Sequence, residues 1–221
     1  FQKKLSTLTF LDPACGSGNF LTETYLSLRR LENEILQELQ GGQMVLGYDN
    51  MNPIQVSISQ FYGIEINDFA VTVAKTALWI AESQMMKETE SIVLMHLDFL
   101  PLKTNAFIHE GNALQVDWES VIPKYQLSYI MGNPPFVARA GRTKAKDSSS
   151  KGMLDDTQKT DRLNVFGEDL GNVDYVACWF KKAAVFTKNT AIRCAFVATD
   201  SICQGQQIYP IWKNILQDDI Y

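Results

Sequence analysis

The sequence has few of the residues that build metal centres and disulfide frameworks. Only two histidines, His96 and His109, occur among its 221 residues, and its four cysteines are scattered. No two cysteines are spaced as Cys-x-x-Cys, which disfavours a tetrahedral zinc site. Scattered cysteines are typical of reduced, intracellular thiols. We therefore expect no metal ion in a functional site.

Long apolar runs and an excess of positive charge are also missing. No apolar run reaches the roughly 18 residues of a membrane span, and residues 1–4 lack the layout of a signal peptide. Lys and Arg number 20 against 25 Asp and Glu, a formal net charge of −5. This balance excludes a basic field over the whole surface, although it allows a local basic patch. Because the chain starts at Phe1, we expect it to be part of a longer protein.

The sequence does contain an alternation of short apolar segments and helical patterns. Strands are predicted at residues 7–11, 61–65, 105–111, 125–131 and 195–199, with helices between them. This alternation predicts a parallel sheet with right-handed crossovers, in which ligands bind beyond the carboxyl ends of the strands. Spacings of three and four residues predict the buried stripes of the first two long helices: Leu21, Tyr25, Leu28, Leu31, Ile35 and Leu39, then Phe69, Val73, Ala77, Ile80 and Met85.

The composition changes over residues 138–172, which predicts a long polar loop. Its first half is basic, which suits either contact with a DNA phosphate backbone or a solvated, disordered segment. We expect it to be disordered without DNA and ordered with it. The basic residues, opposed up to residue 151 only by Asp147, are Arg139, Arg142, Lys144, Lys146 and Lys151.

A glycine turn follows the first predicted strand. Gly16 and Gly18 let a ligand approach the backbone, and the helix that starts there favours an anionic group. Leu21 stands where a dinucleotide-binding motif has its third glycine, so an NAD site is disfavoured. Glu65, which ends the second strand, can accept both hydroxyls of a ribose, or it is an ordinary strand-end acid. Cys15 has no histidine in any nearby motif and is interpreted as a small residue, not a nucleophile.

The tetrapeptide Asn133-Pro134-Pro135-Phe136 follows the fourth predicted strand. The two prolines stiffen the turn and carry no N–H groups. The Asn133 side-chain oxygen and the Pro134 carbonyl can therefore both accept from one –NH₂ group, and Phe136 can stack on a planar ring. A Pro-Pro turn with Phe136 in the core is the alternative. The occurrence of this motif after the glycine turn in a βαβ series favours a functional site.

Together these motifs resemble a known family. The sequence is similar to the gamma class of S-adenosylmethionine-dependent amino-methyltransferases of DNA, and most similar to the MmeI-type restriction–modification proteins. The resemblance runs from about residue 8 to the end of the chain. It is carried by the segments at residues 10–21, 63–66 and 132–136, with flanking similarity at 57–62, 108–114 and 174–177.

The resemblance implies a role for each matching position. Glu65 would bind the ribose of the cofactor and Ile66 would pack on its adenine. Asn112, with Ala113 beside it, would lie near the adenine amine. The flipped target base would be held by Asn133, Pro134, Pro135 and Phe136. The methionine moiety would be held by Asp12, Pro13, Ala14, Cys15, Gly16, Gly18, Asn19 and Phe20.

The resemblance also implies a fold and a reaction. The fold is a class I methyltransferase, a Rossmann-like doubly wound α/β sheet that occupies residues 1–221 and is truncated before the last strands. The reaction is methyl transfer to adenine N6 of double-stranded DNA, because members with this tetrapeptide usually modify adenine. The protein would act in the bacterial cytoplasm as part of a restriction–modification system. Recognition and nuclease domains would lie elsewhere in the parent chain; no Asp/Glu-x-Lys tripeptide of the nuclease type occurs here.

Other functions remain open at this point. The same tetrapeptide occurs in methyltransferases of ribosomal RNA guanine and of protein glutamine, which also place a planar amide or amine in the pocket. A cofactor-binding specificity module without catalysis is a further alternative, although the complete Asn133–Phe136 motif argues against it.

Overall fold

A computed structural model describes residues 1–40, 53–94, 96–97, 105–137, 154–167 and 173–217. Helices and parallel strands alternate along the chain, as the sequence predicts. The strands are β1 (Phe10–Asp12), β2 (Phe61–Glu65), β3 (Phe107–Glu110), β4 (Tyr129–Gly132) and β5 (Arg193–Phe196). The helices are α1 (Gln2–Leu5), α2 (Asn19–Gln40), α3 (Asp68–Val93), α4 (Trp118–Val121), α5 (Asp156–Phe166), α6 (Ala177–Thr187) and α7 (Ile208–Gln217).

Within the described residues the strands form one parallel sheet in the order β3-β2-β1-β4-β5. Phe10 of β1 lies opposite Phe61 of β2 on one side and opposite Tyr129 of β4 on the other. The strand order reverses between β1 and β4. The turns that follow these two strands therefore lie side by side at the carboxyl edge of the sheet, where such folds bind ligands.

The sheet is covered by helices on both faces. Phe10 lies in a buried cluster with Leu21 and Tyr25 of α2 and Leu78 of α3. Its neighbour Leu11 lies in a separate cluster that includes residues of α4, α6 and α7. Alternate residues of a strand point to opposite faces, so these two clusters are the two sides of a doubly wound α/β domain. This confirms the predicted fold class.

The predicted strands differ from the observed ones mainly at their ends. β1 begins at Phe10, three residues later than predicted. β4 begins at Tyr129 because residues Lys124–Gln126 form a 3₁₀ turn, and β5 begins two residues earlier than predicted, at Arg193. The other 3₁₀ turns of the described residues are Ile58–Gln60, Asp200–Cys203 and Gly205–Gln207.

The predicted buried stripe of α2 is wrong in its second half. Leu31 and Leu39 are exposed, whereas Arg29 and Glu32 are almost completely buried. Burial of this pair is tolerated because the two side chains bond to each other and the Arg29 guanidinium also donates to Thr89 Oγ1 of α3 at 2.6 Å.

The predicted stripe of α3 is also wrong for most of its length. Phe69 and Ile80 are exposed, and the buried face runs instead through residues that include two alanines. Small side chains allow close approach: a Cβ built on Gly18 would lie 3.0 Å from Ala74 Cβ. The apolar members of this face are Val71, Ala74, Leu78, Ala81 and Met85.

The prediction of a continuous loop over residues 138–172 is wrong for residues 156–166, which form α5. The helix begins with a capping box, in which the Asp155 carboxylate accepts from the Gln158 N–H and the Gln158 side chain accepts from the Asp155 N–H. Such a box satisfies donors that a helix N-terminus leaves free. The basic cluster of residues 139–151 lies outside the described residues. None of the described helices combines the length and the hydrophobicity that crossing a membrane requires.

Candidate active site

The turn after β1 brings backbone groups to the carboxyl edge of the sheet. Gly16 and Gly18 have φ angles of +53° and +83°, which favour glycine. A Cβ built on Gly16 would meet no atom within 4 Å, so space opens in front of this residue. Asn19 and Phe20 are both exposed at the start of α2, whereas the buried Pro13 is tied to α6 because its carbonyl accepts from Trp179 Nε1 at 3.1 Å.

Asp12 is buried at the point where β1 enters this turn. Its Oδ1 accepts from the Ala14 N–H at 3.0 Å. Burial raises the pKa of the carboxyl group to about 7; the Ala14 bond opposes this rise and the nearby charge of Glu65 adds to it. The carboxyl group is in contact with Gly132 at the end of β4: a Cβ built there would collide with Oδ1 and lie 3.0 Å from Cγ.

Glu65 connects the ends of β1 and β2. One oxygen, Oε2, accepts from the Gly16 N–H at 2.9 Å, and the other, Oε1, accepts from the Asn67 N–H at 2.9 Å. Its backbone carbonyl accepts from the Gly111 N–H at 2.8 Å, beyond the end of β3. Because an ionised carboxylate has about four acceptor positions, the partly exposed Glu65 side chain retains capacity for the hydroxyls of a ligand.

Cys15 is buried inside the turn. Its Sγ lies 2.8 Å from the position that a Cβ on Gly63 would take. Burial raises the pKa of the thiol well above its usual range, and the charges of Asp12 and Glu65 raise it further. A thiol that stays protonated is a poor nucleophile, in line with the interpretation of Cys15 as a small packing residue.

The turn after β4 presents three of its side chains outward. Gly132 is buried and its carbonyl accepts from the Val197 N–H, just beyond β5, at 2.9 Å. Asn133 and Pro135 are exposed while Pro134 is buried between them. Phe136 is 45% exposed, so the alternative that it belongs to the core is wrong.

Asn112 and Ala113 follow β3 and are held by their surroundings. The Asn112 side chain accepts from the Leu114 N–H at 2.9 Å and donates to Asp161 at 2.8 Å. The buried Ala113 carbonyl accepts from Trp118 Nε1 and from Lys182 Nζ, both at 2.8 Å. The predicted site residues thus follow four strands: Asn112 and Ala113 follow β3, Glu65 ends β2, the glycine turn follows β1, and Asn133 follows β4.

Three residues at this edge were not predicted from the sequence to belong to the site. Asp161 lies on α5, inside the predicted loop, and nothing in its local sequence marks it. Lys182 of α6 donates to the carbonyls of Ala113 and Val116, which no motif indicates. Phe69 was assigned to the core, yet it is 74% exposed at the start of α3, close in sequence to the 67% exposed Ile66. Its position in the first turn of α3, four residues after the end of β2, was a signal that could have identified it.

The order of the strands and these turns define a class of protein. A doubly wound sheet with a glycine turn after β1, a carboxylate at the end of β2 and an Asn-Pro-Pro-Phe turn after β4 is a Rossmann-like methyltransferase domain. The family model described as "MmeI, DNA-methyltransferase domain" matches residues 1–221. The chain belongs to this family of DNA-methyltransferase domains.

Individual relatives agree with this assignment. The chain is 38% identical over 219 residues to DNA methyltransferase A of Bacillus subtilis (strain 168), covering 97% of this chain and 23% of that protein. It is similar to the solved structure of the type IIL restriction–modification enzyme MmeI in complex with DNA, with a TM-score of 0.84 and 40% identity. That match covers 98% of this chain and 28% of the other. The chain therefore spans about a quarter of the length of these relatives.

A more distant structure shares the fold alone. A nuclease-deletion mutant of the type ISP restriction–modification enzyme LlaGI, in complex with a DNA substrate mimic, matches with a TM-score of 0.52 at 13% identity. The match covers 96% of this chain and 17% of that one.

Proposed function

We propose that this chain is the methyl-transferring part of a longer protein that methylates adenine N6 in DNA, within a restriction–modification system. The observation that carries the proposal is the contact between Asp12 and Gly132. Through it the turn proposed to hold the cofactor adjoins the turn proposed to hold the target base. Membership of the MmeI family supports DNA as the substrate, and the Asn-Pro-Pro-Phe motif favours adenine over cytosine N4.

The residues of the first turn fit S-adenosylmethionine, the methyl donor of DNA methyltransferases. Space opens in front of Gly16, and Glu65 keeps acceptor capacity for ribose hydroxyls. The exposed apolar side chains of Ile66 and Phe69 can pack on an adenine ring, and Asn112 would meet its amine. Asp12 and the turn from Pro13 to Phe20 would hold the methionine moiety. When bound, the cofactor supplies a methyl group made electrophilic by the sulfonium.

The residues of the second turn would hold the target base. An adenine would leave the duplex at a cost of a few kcal/mol and enter the candidate site. The Asn133 side-chain oxygen and the Pro134 carbonyl would accept from the two hydrogens of its amine, which would hold the nitrogen with its lone pair free for the methyl donor. Phe136 stacks on the ring, a contact worth roughly 1–3 kcal/mol for bases on aromatic side chains. Positioning and exclusion of water supply most of the rate, without a dedicated general base.

The rest of the protein is inferred from the share of its relatives that the chain covers, 23% and 28% of their lengths. We place target recognition and DNA cleavage outside residues 1–221, in the same parent protein. The whole protein would act on double-stranded DNA in the bacterial cytoplasm.

A labelling experiment on the full-length protein tests this function. The protein is incubated with methyl-labelled S-adenosylmethionine and unmethylated DNA, and the DNA is then digested to nucleosides. We expect the label in N6-methyladenine. Asn133→Ala removes an acceptor for the amine and should abolish labelling while cofactor binding persists. Asn105→Ala is the matched control, because Asn105 is an exposed asparagine that precedes β3, at the opposite edge of the sheet.

The other outcomes identify which part of the proposal fails. Label in N4-methylcytosine would support the same mechanism with cytosine, not adenine, as the target base. Label in RNA or protein, with none in DNA, would assign the protein to the ribosomal RNA guanine or protein glutamine methyltransferases. Binding of cofactor and DNA without any transfer would support the specificity module.

A further inference from the structure

A buried carboxylate, that of Asp161, lies beside the edge of the sheet that forms the candidate site. Its side chain is 1% exposed although it sits on α5, a helix with a polar sequence. Three side chains donate to it: Asn112 to Oδ2 at 2.8 Å, Gln115 to Oδ1 at 2.9 Å and the Tyr175 hydroxyl to Oδ2 at 2.9 Å. A carboxylate is buried in this way only where hydrogen bonds compensate the lost hydration.

The donors come from two separate parts of the chain. Asn112 and Gln115 belong to the turn after β3, and Tyr175 precedes α6. Burial raises the pKa of the Tyr175 phenol, and the bond to Asp161 raises it further, so Tyr175 remains protonated and keeps donating. Asp161 therefore joins α5 to the β3 turn and to the chain that leads into α6.

The hydrogen bond to Asp161 helps to fix the orientation of the Asn112 amide. Oδ1 of Asn112 accepts from the Leu114 N–H while Nδ2 donates to Asp161. The two bonds therefore hold opposite ends of the amide in one orientation. A carbonyl oxygen has two lone pairs. Oδ1 of Asn112 therefore keeps one of them for a further donor.

We propose that Asp161 is a positioning residue that fixes Asn112 as a hydrogen-bond acceptor and thereby makes the site prefer a nucleoside with an exocyclic amine, such as the adenine of the cofactor. The inference rests on the proposed function, in which Asn112 faces that amine. Asp161 does not itself touch the ligand. Its influence acts through the orientation of one amide.

The test compares two ligands that differ only in the amine. S-adenosylhomocysteine and its analogue with hydrogen in place of the 6-amino group are titrated calorimetrically into the full-length protein. We expect the unmodified protein to prefer the amino form by roughly five- to tenfold, the value of about one hydrogen bond. In Asp161→Leu, Nδ2 of Asn112 has no acceptor and the amide turns away, so the preference should fall to within about twofold.

Two further variants separate positioning from general support of the fold. Asp161→Asn should keep most of the preference, because its carbonyl oxygen can take the place of Oδ2 and the exposed Gln115 can turn over its amide. In an Asn112→Ala background the preference should already be lost, and Asp161→Leu should not reduce it further. If Asp161→Leu is insoluble, Asp161→Ala takes its place. The ratio of two affinities on one preparation is independent of the fraction that is folded.

The results separate the positioning role of Asp161 from the proposed function. An Asp161→Leu variant that retains the full preference would overturn the positioning role. Equal binding of both ligands by the unmodified protein would also overturn it, while cofactor binding would stand. No binding of S-adenosylhomocysteine at all would overturn the proposed function itself.

Discussion

Asp12 at the end of β1 and Gly132 at the end of β4 are in direct contact at the point where the strand order reverses. A Cβ built on Gly132 would collide with Oδ1 of Asp12. The carboxyl group thus occupies space that any other residue at position 132 would fill. Because Asn133 follows Gly132 directly, this packing fixes the distance between the two turns of the candidate site.

Replacing Gly132 by alanine should therefore disable the site. In Gly132→Ala the Asp12 side chain has to move, and we expect methyl transfer in the full-length protein to fall at least about 100-fold, as a displacement of about 1 Å can cause. Initial rates with labelled S-adenosylmethionine measure this effect.

Gly205→Ala is the matched control for this substitution. Gly205 has a φ of +58° and no atom within 4 Å of the added Cβ, so Gly205→Ala places alanine at a positive φ, at a strain of roughly 1–2 kcal/mol, without a collision. We expect nearly unchanged activity from the control. A Gly132→Ala protein as active as the control would show that Asp12 need not hold its present position.

The raised pKa of Asp12 predicts a pH dependence of cofactor binding. Below a pKa of about 7 the carboxyl group is neutral, and above it the group is negative. If Asp12 holds the methionine moiety, its negative form attracts the sulfonium, so affinity for S-adenosylmethionine should rise from pH 6 to pH 8 by about three- to tenfold more than that for S-adenosylhomocysteine, which has no sulfonium charge.

Dissociation constants of both ligands at the two pH values provide the measurement. Asp12→Asn should remove the difference between the ligands. Asp117→Asn serves as control, because Asp117 caps α4 and asparagine caps a helix equally well. An identical pH dependence for both ligands in the unmodified protein would place the sulfonium away from Asp12.

Glu65 is expected to determine cofactor affinity through two of its contacts. In Glu65→Gln one oxygen becomes an –NH₂ group, which faces the N–H of Gly16 or of Asn67 and cannot accept from it. Loss of this charge-assisted bond and of the acceptor for a ribose hydroxyl should weaken S-adenosylhomocysteine binding by about 10- to 100-fold. Calorimetric titration of the full-length protein gives the value.

Glu110→Gln is the control for Glu65→Gln, because Glu110 lies opposite Glu65 in the register of β2 and β3 and is exposed. It should bind the ligand as the unmodified protein does. Equal affinities of the two variants would argue that Glu65 is only a strand-end acid, the alternative that the sequence left open.

The sequence predicted those parts of the site that depend on local backbone chemistry. A turn that follows an apolar strand can be identified from its glycine or proline content. A parallel sheet brings such turns to one edge. The turns at Gly16 and Asn133 and the acid at Glu65 were found in this way. Their position at one edge was predictable because all strands of a parallel sheet end at the same edge, whereas the strand order β3-β2-β1-β4-β5 was not predicted.

The remaining contacts depend on tertiary packing and leave no local signal. Asp161 belongs to a short polar helix whose only sequence mark is the capping box at Asp155. Lys182 looks like one of two adjacent surface lysines of α6, yet it reaches two carbonyls of the β3 turn. Arg29 lies on a face of α2 that the spacing rule assigns to solvent, because the rule cannot anticipate a buried partner.

The buried pair of Arg29 and Glu32 gives a last prediction, on stability. Glu32 accepts from Arg29, from the Gln2 side chain at 2.7 Å and from the Gln55 N–H at 2.7 Å. It thus ties α1 and the segment before β2 to α2. Glu32→Gln leaves the Arg29 charge buried without compensation and should lower the free energy of unfolding by about 3–5 kcal/mol.

Heat inactivation of methyl transfer in the full-length protein reports this loss as a lower inactivation temperature. Glu34→Gln, an exposed glutamate of the same helix, should change stability by no more than about 0.5 kcal/mol. Adding Arg29→Met to Glu32→Gln removes the uncompensated charge and should restore part of the loss, because an apolar side chain of similar length can replace a buried ion. If the double variant is less stable than Glu32→Gln alone, the hydrogen bond from Arg29 to Thr89 of α3 contributes more to stability than the unpaired Arg29 charge costs.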